Sequence, residues 1–250
     1  MNSNIWSWRE YMIKAVVFDK DGTLIELGQT WDEPTVKMMR EMFQLTHLKE
    51  EEQAEFAYKM GINKNWTGII PNSIFAAGSI YDQAVELSKV VDLPIEKIEE
   101  KIEAAYLHFL ETQDLQAKLS PGVEEMLQSL QGKYKICLVT NDNYNLTKMT
   151  LGKLNVLNYF DFIGCADQYG PKPNPSALHE ISKRFNVSLD EMVYVGDSSL
   201  DMVYGKHTRS AIGYIEDPKY HEHLSEADYL IGNFDQLMDI LEQVESQAKE

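Results

Sequence analysis

Two aspartates one residue apart, Asp19 and Asp21, follow directly on the apolar run Ala15-Val16-Val17-Phe18. Alternate residues of an extended chain point the same way, so both carboxylates can face one site, and Gly22 permits a sharp exit from it. Two further apolar runs end in polar groups. Ile136-Cys137-Leu138-Val139 leads into Thr140 and Asn141, and Met192-Val193-Tyr194-Val195 leads into Gly196 and Asp197, with Asp201 shortly after. Between them Lys172 sits in Gly170-Pro171-Lys172-Pro173, a loop whose prolines restrict the backbone and hold the lysine in place. Carboxylates gathered at Asp19, Asp21, Asp197 and Asp201 are expensive to keep together without a cation, and hard oxygen donors favour magnesium over zinc. Lys172 adds a compensating positive charge, and Thr140 and Asn141 add hydrogen-bond donors. Phosphoryl transfer needs this combination of nucleophile, acid/base, divalent cation and donors for the phosphoryl oxygens.

The runs that carry these residues are short and rich in β-branched side chains, as expected of strands buried on both faces. Weaker strand candidates are Phe162 to Cys165, Ala211 to Ile215 and Asp228 to Ile231. Amphipathic helices lie between them. Val123, Met126, Leu127 and Leu130 share one face, with Ser120 expected as N-cap and Pro121 at the first helical position. Leu178, Ile181 and Phe185 form a second stripe, and Ser188 with Glu191 a capping box before the third strand. Such alternation predicts an α/β fold: a Rossmann-like parallel sheet in three α/β/α layers, with ligands at the carboxyl ends of the strands. From about Trp31 to Asp114 only helical patterns occur, over Glu33 to Phe43, over Glu50 to Met60 stopped by Gly61, after Ser79 and after Pro94. They predict a four-helix bundle inserted after the first strand. The expected domains are a catalytic core of residues 1–28 and 115–250 and a helical cap of residues 29–114.

Composition is that of an ordinary globular protein, 44% hydrophobic and 25% charged over 250 residues. Forty acidic against 23 basic residues give a net charge of -17, which argues against nucleic acid or an anionic membrane as partner. No stretch approaches the roughly 20 apolar residues of a membrane span. Met1 to Met12 lacks the apolar stretch of a signal peptide, so a cytoplasmic location is expected. Cys137 and Cys165 read as buried, reduced thiols.

The stretch Asp19-Lys20-Asp21-Gly22-Thr23-Leu24, then Thr140-Asn141, then Lys172, then Gly196-Asp197-Ser198-Ser199-Leu200-Asp201 resembles the four motifs of the haloacid dehalogenase superfamily, in the family's order. The resemblance covers about Ile13 to Ile25 and Leu119 to Leu241, and Pro121-Gly122-Val123 with Lys172-Pro173 is most like phosphoglycolate phosphatase-type members. It implies that Asp19 is a nucleophile forming an aspartyl-phosphate, and that Asp21 protonates the leaving group and then activates water. It implies that Thr140, Asn141 and Lys172 bind the phosphoryl group. It places magnesium on Asp19, the Asp21 backbone carbonyl and Asp197, with Asp201 orienting Lys172 or a metal-bound water. The helical insert matches the family's cap, since Lys172 follows Asn141 by only 31 positions, which leaves no room for the other cap site. The implied substrate is a small phosphorylated metabolite such as phosphoglycolate or a sugar phosphate, handled by a monomer or homodimer. A phosphomutase of the same superfamily and a catalytically silent phosphate-binding protein are the alternatives.

Lys20 and the stretch Tyr204-Gly205-Lys206-His207-Thr208 depart from the usual pattern, without an expected effect on a catalytic position. Asp142, Asn143 and Asn145 read as loop formers, and His221 and His223 as a polar-loop pair without a metal role. Trp31 and Trp66 are expected in core packing, while Lys64, Asn65 and the run Ala76-Ala77-Gly78-Ser79 are candidates for substrate contact.

Overall fold

The computed structural model describes residues 12–112, 117–215 and 222–247. The segment read as lacking a signal peptide (apart from Met12), the cap boundary at residues 114–115 and His221 lie outside them.

Six strands form one parallel sheet: β1 Ala15–Phe18, β2 Lys135–Thr140, β3 Phe162–Cys165, β4 Met192–Gly196, β5 Ser210–Tyr214 and β6 Tyr229–Ile231. All six expected strands are present, within a residue or two. Their spatial order is β3-β2-β1-β4-β5-β6. The order reverses between β1 and β4, so the crevice at the carboxyl ends of these two strands is the natural ligand site. Phe18 pairs with Val195, which places Asp19 beside the end of β4, and the Asp19 amide donates to the Val195 carbonyl at 2.9 Å.

Side chains of β1 alternate between two cores. Val16 and Phe18 join Leu138, Val193 and Val195 on one face, whereas Ala15 and Val17 join Cys137, Val139 and Tyr194 on the other. Burial on both faces is why these strands read as unbroken apolar runs. Cys137 and Cys165 are buried free thiols, as expected.

The insert comprises α1 Leu27–Phe43, α2 Glu50–Met60, α3 Ile74–Ala77, α4 Ile80–Leu87 and α5 Ile95–Thr112. It has its own apolar cluster, in which Met39 and Met42 of α1 meet Ala84 and Leu87 of α4 and Ile98, Ile102 and Tyr106 of α5. The expected α2 ends at Gly61, whose φ of 114° closes the helix. Ser79 and Asp82 form the capping box that starts α4. The single turn α3, too short to leave a periodic signal, was not among the four helices expected, and α1 begins at Leu27 rather than near Glu33.

Five further helices complete the described core: α6 Val123–Leu130, α7 Tyr144–Lys153, α8 Ala166–Tyr169, α9 Ser176–Phe185 and α10 Ser199–Gly205, with α11 Leu237–Gln247 beyond the last strand. Ser120 does not cap α6. Its backbone amide donates to Leu24 and its carbonyl accepts from Val123 across a tight turn, with Pro121 at the second position and Gly122 at the third. Gly122, at φ 83° and ψ 0°, has the backbone that a type II turn demands, and it becomes the N-cap. Ser188 and Glu191 do form the expected capping box, on a short 3-10 turn leading into β4.

Candidate active site

Four strand ends and one loop converge on a cavity of about 250 Å³ between the sheet and the cap. Asp19, Asp21, Thr140, Asn141, Lys172, Asp197 and Asp201 all line it, so every residue singled out from the sequence for chemistry is brought to one place.

Lys172 is the hub. Its Nζ lies 2.5 Å from Asp19 Oδ1 and 2.6 Å from Asp201 Oδ1, all three groups being buried. Asp201 is fixed in turn. Its Oδ1 also accepts from the Tyr194 hydroxyl at 2.9 Å, and its Oδ2 accepts from the backbone amide and hydroxyl of Ser198, the capping box that starts α10. Asn141 orients the lysine's backbone, its Oδ1 accepting from Lys172 N at 2.8 Å. The same side chain donates through Nδ2 to the Ala77 carbonyl in the cap at 2.7 Å, tying cap to core beside the site. Thr140 Oγ1 accepts from Asp142 N at 3.2 Å, which leaves its proton for a ligand.

Carboxylate oxygens of Asp19, Asp197 and Asp201 lie within 4.8 Å of one another. Burial pushes the Asp19 carboxyl up to about 7, although Lys172 pulls it down, and Asp201 pushes in the same direction as burial. Burial, with Asp201 and Asp19 nearby, raises Asp197 well above the ordinary carboxylate range. Asp201 moves the other way, because Lys172 and Ser198 outweigh its burial. Lys172 is buried too, yet Asp19 and Asp201 hold it above its ordinary value. Two carboxylates disfavoured by burial and mutual repulsion, each keeping an Oδ2 without a hydrogen bond among the described residues, are a donor set suited to a hard divalent cation. Asp201 has less to offer a metal, since both its oxygens are already engaged. The Asp21 carboxylate is also occupied elsewhere, which leaves its backbone carbonyl for that purpose.

Gly22 shapes this cluster. It has φ 83°, and a Cβ there would fall 2.3 Å from Asp197 Oδ2. Gly22→Ala is expected to lose about 2 kcal/mol of stability or more in chemical denaturation, from backbone strain together with displacement of Asp197.

Two expectations fail here. Lys20 does touch a candidate catalytic residue: its fully buried Nζ pairs with Asp21 Oδ2 at 2.5 Å and with Asp142 Oδ2 at 2.8 Å, and lies 5.1 Å from the centre of the Trp31 ring. Burial alone would lower this lysine, but Asp142 and Asp21 raise it. Asp142 is accordingly more than a loop former. It lines the cavity as the counter-charge of Lys20. A lysine at a site where an apolar residue is usual was itself the signal, because a charge in a buried segment requires partners.

Trp31 is buried against Tyr106, edge to face at 5.4 Å, as a packing residue would be. Its Nε1 also donates to Asp21 Oδ1 at 2.6 Å, a contact from the cap to the core. Trp66 does pack, against Phe43, and stays away from the cavity along with Lys64 and Asn65. Ala76, Ala77 and Gly78 line the cavity. Sequence reading missed Thr35, Gln83, Tyr106 and Tyr194, which sit in apolar stripes whose polar tips turn inward. It also missed the site role of His223, whose Nε2 lies 2.8 Å from the Asp197 carbonyl oxygen.

Comparison with known proteins agrees with this fold. A phosphoglycolate phosphatase of Aquifex aeolicus is 30% identical over 47% of this chain and 59% of its own length. One of Photobacterium profundum is 26% identical over 92% of this chain and 96% of its own. A crystal structure of a predicted phosphoglycolate phosphatase from Haemophilus somnus superposes with a TM-score of 0.64 at 17% identity, covering 91% of this chain and 97% of that one, a likeness of fold. No described helix is long and apolar enough to cross a membrane. The model of the haloacid dehalogenase-like hydrolases matches residues 13–207, from the strand that delivers Asp19 to the helix that carries Asp201, and the chain belongs to that family.

Proposed function

We propose that this hydrolase is a magnesium-dependent phosphatase that cleaves a small phosphomonoester in two steps. In the first, an Asp19 carboxylate oxygen attacks phosphorus and the bond to the leaving alcohol breaks, with Asp21 giving its proton to the departing oxygen. In the second, Asp21 takes a proton from water as the water oxygen attacks the aspartyl-phosphate. The bond to Asp19 breaks, and inorganic phosphate leaves. Lys172, the Thr140 hydroxyl and the Asn141 backbone donate to the phosphoryl oxygens. Asp201 and Tyr194 hold Lys172 in place for both steps. Magnesium on Asp19, Asp197 and the Asp21 carbonyl would neutralise phosphoryl charge. The helices α1 to α5 act as a cap that excludes water, with Trp31 and Asn141 as its contacts at the site.

The observation that carries this reading is the setting of Asp19: at the switch point of the sheet, on the cavity wall, 2.5 Å from Lys172 and clustered with Asp197. The names of the relatives, phosphoglycolate phosphatases, lend support.

Phosphate release from a panel of phosphomonoesters, with and without magnesium, tests it. Release should require the metal. Millimolar magnesium should also raise the melting temperature of the wild type by a few degrees, and Asp197→Asn should lose both responses. Metal binding without release from any ester would instead favour the phosphomutase or the silent binder.

A further inference from the structure

The two walls of the cavity differ in kind. The core wall carries Asp19, Asp21, Asp197 and Lys172, whereas the cap wall offers Trp31, Thr35, Ile69, Phe75, Gln83 and Tyr106 and carries no charge. Cations of the cap turn elsewhere: Lys37 lies over Phe109, Arg40 over Trp66 and Lys64 over Tyr58. On the core side, Lys172 is committed to Asp19 and Asp201, and Lys20 to Asp21 and Asp142. Among the described residues, no lysine or arginine of the cavity is left for a second anionic group.

What the cap wall does offer is a buried polar trio. The Tyr106 hydroxyl lies 3.2 Å from Thr35 Oγ1 and donates to Gln83 Oε1 at 3.4 Å, and all three side chains are buried. Gln83 is 95% buried, and its Nε2 donates to no protein atom among the described residues. One end of this amide is anchored, and the other remains a donor beside the cavity. An amide donor that faces the cavity and has no protein acceptor is available to a ligand oxygen.

We infer that the alcohol released from the substrate is uncharged and bears a further hydroxyl, as a polyol or sugar does, and that Gln83, Tyr106 and Thr35 receive that hydroxyl. The inference rests on the phosphatase reading and narrows its substrate class. A hydroxyl can accept from the Gln83 amide and donate to a Thr35 or Tyr106 oxygen, so both partners are satisfied. A carboxylate can only accept. It would also be stripped of water against a neutral wall, in a cavity already lined by aspartates and in a protein of net charge -17. Trp31 and Phe75 give a carbon skeleton an apolar face to lie against. Glycolate, the alcohol in the names of the relatives, is therefore the wrong kind of leaving group for this cap.

The test compares 2-hydroxyethyl phosphate with 2-phosphoglycolate, which differ only in a hydroxymethyl group against a carboxylate, with p-nitrophenyl phosphate as a generic ester. Wild type is expected to favour the neutral ester in kcat/KM by at least about tenfold. Gln83→Leu should erase about tenfold of kcat/KM for that ester, mainly through KM. Gln83→Arg should move the ratio towards phosphoglycolate. Equal or faster turnover of phosphoglycolate by the wild type, a measurement that needs no variant to fold, would overturn the inference and leave the phosphatase reading standing. No magnesium-dependent release from any of the three esters would overturn that reading, and the inference with it.

Discussion

Asp19→Asn is expected to reduce phosphate release at least about a thousandfold while leaving the fold intact. The amide matches the carboxylate in shape but lacks the charge and nucleophilicity to form an acyl phosphate. Lys172 keeps its partner Asp201 at 2.6 Å, so the hub does not come apart. Stability is expected to rise rather than fall in the metal-free protein, because the substitution removes a buried carboxylate that burial has pushed up to about 7. The sign follows from linkage. A carboxyl whose folded pKa lies above its unfolded value penalises the fold in its ionised form. That penalty is fully present above pH about 7 and fades as the pH falls towards the ordinary carboxylate value. The melting temperature of the variant should therefore exceed that of the wild type most clearly near pH 8 in chelator, and the two should converge near pH 4. Release of phosphate at more than about a hundredth of the wild-type rate would rule out Asp19 as the nucleophile.

The sheet was legible in the sequence because β1, β2 and β4 at its centre are buried on both faces, so each announces itself as an apolar run ended by a polar residue, whereas β6, with Leu230 exposed, gave a weaker signal. Asp19, Thr140 and Asp197 stood out for the same reason: a carboxylate or hydroxyl at the end of such a run lies at the carboxyl edge of a parallel sheet. The cap was legible only as helices. Its contribution to the site comes from Trp31, Thr35, Gln83 and Tyr106, which belong to helical stripes whose bulk packs inward. Periodicity places such a side chain on the buried face and cannot tell whether its polar tip meets a cavity. Lys20 carried a signal, a charge in a buried segment, but its partner Asp142 is far away in sequence and reads alone as an ordinary charged residue. Together with Asp21 they form a buried cluster that the fold must keep intact.

That cluster gives the second large effect, on Lys20→Met. The lysine is fully buried, and its removal leaves Asp142 and Asp21 without their counter-charge. Burial already raises Asp142 above the ordinary carboxylate range even with Lys20 beside it, so the unpaired carboxylate would be poorly tolerated. Breaking a buried ion pair from one side costs about 3–5 kcal/mol, which for a chain of this size lowers the melting temperature by roughly ten degrees. Catalysis should fall as well, because Lys20 and the Trp31 indole together fix the two oxygens of Asp21. Stability and activity can be separated by removing the stranded charge. Replacing both partners of a buried pair with apolar groups is often neutral for stability. The double variant Lys20→Met with Asp142→Leu should therefore regain most of the lost melting temperature in thermal unfolding. It should not regain kcat, since Asp21 would still lack the cation that holds it. If the double variant recovers both, Lys20 serves only the fold. If it recovers stability alone, the lysine between the two aspartates is a positioning residue for the acid/base, and this chain has placed a charge where the family's motif usually carries an apolar side chain.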